Sequence, residues 1–73
     1  MFTDDQMTRL DTIFLEAFEL GLRHLNADDP LDWIAAFAYA IGWAKWEQNS
    51  ERVGKLDNLS ARTWAVLDEA TSP

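Results

Sequence analysis

Asp29-Pro30-Leu31-Asp32-Trp33-Ile34-Ala35-Ala36-Phe37-Ala38-Tyr39-Ala40-Ile41-Gly42-Trp43-Ala44-Lys45-Trp46 is the stretch whose reading decides the fold. Asp29 is placed to cap a helix, with Pro30 at its first position and Asp32 at its third. At about 100° per residue the large apolar side chains fall into two groups. Trp33, Ile34, Phe37 and Ile41 share one side, and Tyr39, Trp43 and Trp46 share nearly the opposite one. Between them lie Ala35, Ala36, Ala38, Ala40, Gly42 and Ala44, small residues that let other helices approach closely. A helix that is apolar all round is a buried helix, so this segment, read as about residues 30–48, is expected at the centre of the fold.

Upstream, Thr3 and Gln6 have the spacing of a capping box, and Phe2 and Met7 that of a hydrophobic staple. Leu10, Phe14, Ala17, Phe18, Gly21 and Leu25 recur at steps of three and four, which predicts a first helix over about 4–25. Ile13, Leu15, Leu20 and Leu22 broaden its apolar face, so it must be covered from two directions. Asn26 to Pro30 is a break of the kind that joins antiparallel helices. Downstream, Gly54 reads as a helix-ending residue. A third helix is then expected over about 58–70, with Leu59, Trp64, Val66, Leu67 and Ala70 as its stripe. The expected fold is a single all-α domain, residues 1–73, with three helices and the second of them central. A homodimeric helical bundle is one way to complete it.

Size makes completion a real question. A domain of 73 residues buries only about 60% of the surface its unfolded chain exposes. There is no cysteine for a disulfide and one histidine, His24, so a Cys/His zinc site is excluded. Extra stability must come from dense packing, self-association or a partner.

The net charge is −7, from 13 acidic and 6 basic side chains. Residues 27–48 carry four acids and one base, whereas residues 49–73 carry four acids and three bases. Proteins that grip nucleic acid or anionic membranes cluster Lys and Arg, so direct binding to either is not expected. A basic protein surface would be attracted instead, and an acidic mini-protein can mimic nucleic acid by presenting carboxylates where phosphates sit. The alternative is that excess acid only keeps the chain soluble. No signal-peptide pattern opens the chain and no apolar run is long enough to span a bilayer, which makes a cytoplasmic protein the default expectation.

Catalytic signatures are absent. No cysteine nucleophile, glycine-rich phosphate loop or Glu-x-x-His pair is present. Glu16 and Glu19, with Glu47 and Glu51, are the only helical carboxylates with spacing suited to a metal-dependent site. Their expected place is a solvated face. The alternative is a small carboxylate metal-binding enzyme. A minor one is a helix–turn–helix DNA binder built on Arg52, Lys55 and Arg62, with Asp57 among them arguing against it. No cofactor is expected.

Four tryptophans in so short a chain carry the functional expectation. Trp33 and Trp64 are read as core. Tyr39, Trp43 and Trp46 are either covered by a neighbouring helix or left open for docking. On the second reading the chain is an interaction module, an adaptor, inhibitor or accessory subunit. It would dock on another protein or on itself through Tyr39, Trp43, Trp46 and Glu47, with Asp28, Asp29 and Asp32 as acidic surroundings.

Overall fold

The computed structural model describes residues 1–72 as three α-helices: α1 (Asp4–Glu19), α2 (Pro30–Trp46) and α3 (Ser50–Thr71). Local chemistry explains where each begins. The Thr3 hydroxyl accepts from the Gln6 N–H at 3.1 Å while Gln6 Oε1 accepts from the Thr3 N–H at 2.9 Å, the expected capping box. Asp29 caps α2 ahead of Pro30, and Asn49 caps α3 by accepting from the Arg52 N–H at 3.1 Å.

The ends of α1 and α2 share one device. At the first, the Gly21 N–H donates to the Phe18 carbonyl and the Leu22 N–H to the Ala17 carbonyl. At the second, the Gln48 N–H donates to the Lys45 carbonyl and the Asn49 N–H to the Ala44 carbonyl. Both are Schellman closures, which need a left-handed residue just past the helix. Gly21 supplies it at φ 95° and Gln48 at φ 60°.

These closures correct two expected boundaries. The first helix stops at Glu19 and not near residue 25, because Gly21 serves as the terminating residue and not as part of the apolar face. The third helix starts at Ser50 and not near residue 58, and Gly54 lies inside it. The second helix, read to about residue 48, closes at Trp46 with Gln48 as its terminating residue, and Asn49 caps the next helix at once, so Gly54 ends no helix.

The core is formed by Leu10, Ile13, Ala17, Trp33, Phe37, Ala44, Leu56, Leu59 and Val66. α3 is the helix packed along both of the others at close backbone approach. α1 and α2 also meet through side chains, with the Phe14 and Trp33 ring centroids 5.6 Å apart. The middle position expected for α2 therefore belongs to α3. At 22 residues, α3 is the longest helix, about 33 Å in a molecule 39 Å long.

Trp33 is the side chain that ties α2 to α1 and to the connection between them. It is 1% exposed, touches Phe14, and its Nε1–H donates to the Asn26 carbonyl at 2.6 Å, tying the α1–α2 connection to the core. Thr63, fully buried, returns its hydroxyl proton to the Leu59 carbonyl at 2.8 Å and so enters the core without an unpaired polar atom. Trp64, expected in the core, is 45% exposed. It sits about 100° round the helix from Thr63, and the smaller residue faces inward.

Candidate functional site: an aromatic face on the second helix

α2 buries Pro30, Trp33, Phe37 and Ala44 and half-buries Ile34, Ala40 and Ile41 against the other two helices. That contact uses only one side of a helix that is apolar on both. The opposite side is left to solvent: Tyr39 is 71%, Trp43 51% and Trp46 78% exposed.

The three aromatic side chains are not independent. Tyr39 and Trp43 meet edge-to-face at 6.4 Å between centroids and 64° between planes, and Trp43 and Trp46 at 5.8 Å and 80°. Edge-to-face contact sets the positive rim of one ring against the negative face of the next, which favours an ordered ladder over three free rotors. Beside the ladder the surface drops to Ala38 and Gly42, making a shallow apolar groove lined by Ala38, Tyr39, Gly42, Trp43 and Trp46. Beyond its own helix backbone and chain neighbours, no atom lies within 4 Å of the place where a Gly42 Cβ would stand, so no packing contact within the chain requires glycine there.

Two more residues belong to this face, Leu31, which sequence reading passes over, and Ala35, read only as a small spacer. Leu31, 60% exposed, and Ala35, also exposed, extend it toward the start of α2. Leu31, Ala35, Ala38 and Gly42 follow steps of four, three and four, a signal that the bulkier aromatics beside them mask.

The acidic residues expected around the face are divided between its ends. Glu47 is the cap residue just past the end of α2, directly after Trp46. Asp28, Asp29 and Asp32 lie at the opposite end and serve the start of the helix. Asp32 lies on the line of the ladder, about 16 Å along the axis from Trp43, whereas Asp28 and Asp29 lie before the first turn. The acids therefore do not ring the aromatics. The one base on α2, Lys45, is exposed in the last turn, and neither it nor Asp32 forms an ion pair among the described residues.

The carboxylates considered for a metal have other partners. Both oxygens of Glu16 accept from the Arg62 guanidinium, at 2.9 and 2.6 Å, and this pair clamps α1 to α3. The Arg62 hydrogen bonds hold the Glu16 carboxyl below its ordinary range and raise Arg62. Glu51 pairs with Lys55 at 3.2 Å. Glu16, Glu19 and Glu51 do line one groove, with Lys55 among them. Among the described residues no three acidic or histidine side chains converge in a way that could hold a metal ion. A second clamp joins Arg9 to Glu69, and the hydrogen bond from Arg9 holds the Glu69 carboxyl below its ordinary range.

Of the cations considered for DNA, Lys55 and Arg62 are taken up by Glu51 and Glu16. No helix among the described residues is long and apolar enough to cross a membrane. No family model, curated protein or solved structure matches the chain.

Proposed function

We infer that this chain is a small acidic protein-interaction module, an adaptor, inhibitor or accessory subunit, that docks through the exposed face of α2. One observation carries the reading: three adjacent large aromatics lie more than half exposed on a helix whose other side already fills the core. Isolated exposed apolar residues are ordinary, whereas a contiguous aromatic patch marks a contact surface. Trp and Tyr are also the residues that contribute most per contact at interfaces, because their rings bury much area at little entropic cost.

The rest of the molecule suits that role. Its stabilising clamps, Arg9–Glu69 and Arg62–Glu16, lie between α1 and α3. The outer side of α2 is thus free of interactions that docking would have to break. The reading assigns no catalytic group and no cofactor.

A photo-activatable residue at position 39, introduced in the cells that make the protein, tests this. The expected result is a discrete cross-linked species from position 39 and none from a control at Glu51. Equal, diffuse adducts from both positions, or none from either, would contradict docking through this face.

A further inference from the structure

We propose that the occupant of the α2 face is a second copy of this chain, packed antiparallel about a two-fold axis that passes between Ala38 and Tyr39. The proposal rests on the docking reading above and names the partner.

Self-complementarity of shape comes first. In this register Ala35 of one copy lies level with Gly42 of the other, about 5 Å along the helix on either side of the two-fold, so small side chains face each other on both flanks of the axis. Leu31, exposed and outside the core, lies level with Trp46 of the second copy, beside the groove lined by Gly42. The two Tyr39 rings meet near the axis. A glycine inside a helix destabilises it, and within one chain nothing approaches Gly42. A second helix backbone at that point is a physical reason for glycine there.

Charge comes second, and it selects the direction. α2 carries Asp29 and Asp32 at its start, with Asp28 just before, and Lys45 in its last turn. An antiparallel pair sets the acidic end of each copy level with the basic residue of the other and opposes the two helix dipoles. A parallel pair would place six aspartates side by side.

Area comes third. At the exposures given above, and 150–250 Å² for a whole aromatic side chain, the ladder with Leu31 and the small residues offers roughly 500–600 Å² per copy. Two such faces bury at most about 1,000–1,200 Å², at or below the lower edge of specific interfaces. The dimer is therefore expected to be concentration-dependent.

The test uses light scattering on the full chain and single cysteines introduced into a sequence that has none. The mass should climb from 8.4 kDa toward twice that value as concentration rises. Under mild oxidation Ala38→Cys, close to the axis, should form a covalent dimer at least about tenfold faster than Ala61→Cys on the exposed side of α3, because effective concentration acts only at the interface. Leu31→Cys should link no faster than that control, since the two copies of position 31 lie about 22 Å apart in an antiparallel pair. A single-chain mass at every concentration, or linkage of Leu31→Cys as fast as Ala38→Cys, would overturn the proposal. A single-chain mass together with a discrete adduct to another protein from position 39 would remove the second copy and leave the docking reading standing. Loss of both would remove both.

Discussion

Gln48 and Gly21 occupy equivalent places, one residue past the helix cap, and differ in what their backbone conformation costs. A β-carbon in the left-handed region is unfavourable by about 1 kcal/mol or more, and glycine avoids it. Gln48→Gly should therefore raise the unfolding free energy by about 0.5–1 kcal/mol in urea titration, and Gly21→Ala should lower it by about 1 kcal/mol. Gln48 is also why the start of the third helix is not legible in the sequence. Glutamine carries no termination signal, and Gly54 carries a false one.

The ion pairs belong to the same scale, and their sign follows from the hydrogen bonds. Arg62 lowers the folded-state value of Glu16 below its ordinary 4.5. Its contribution is thus complete above that value and fades as pH falls through the lowered one. Glu16→Gln should flatten the loss of stability below pH 4.5 seen by chemical denaturation. At neutral pH the variant should be less stable by under about 1 kcal/mol, because both partners are more than a third exposed and solvent screens them.

For the helices, existence was legible and placement less so. The capping box at Thr3, the Asp29-Pro30 start and the two-sided apolar pattern of α2 follow from local rules that no tertiary contact overrode. Trp33 and Phe37 were legible as core for the same reason. Whether a neighbour would also cover the second face of α2 is not legible in the sequence, since both faces are apolar and only packing decides. The structure seats the Trp33–Phe37 side inward, where Trp33 also finds the Asn26 carbonyl for its indole N–H, and leaves the Tyr39–Trp46 side out. Trp64 reads as core in the sequence but lies outside it, because its neighbour Thr63 satisfies its own hydroxyl within the helix and takes the inward position.

Two glycines test the helices independently of any partner. Gly42→Ala and Gly54→Ala each meet nothing within 4 Å. Each should stabilise the single chain by about 0.5–1 kcal/mol through helix propensity. Thermal unfolding of dilute protein checks both. A destabilised Gly42→Ala chain would mean that the face is already covered within one molecule.

At the scale of the whole molecule, 73 residues hold one thin core bridged by Trp33. Trp33→Ala removes that bridge and should cost about 3–5 kcal/mol, much of the stability a small domain possesses. Circular dichroism should then show a chain largely unfolded at room temperature. Removing Trp43 and Trp46, aromatic side chains of similar kind, should leave the single chain intact, because those rings hold one another and not the core.

The thermal unfolding midpoint of wild type and of Trp43→Ala/Trp46→Ala, followed from micromolar to millimolar protein, tests that contrast most directly. Binding to the folded state raises a midpoint by mass action. The wild-type midpoint should therefore rise with concentration while that of the variant stays flat, the two converging on dilution. A variant that melts far below wild type in dilute solution would show that these aromatics hold up the fold itself, and the face would not be a docking surface.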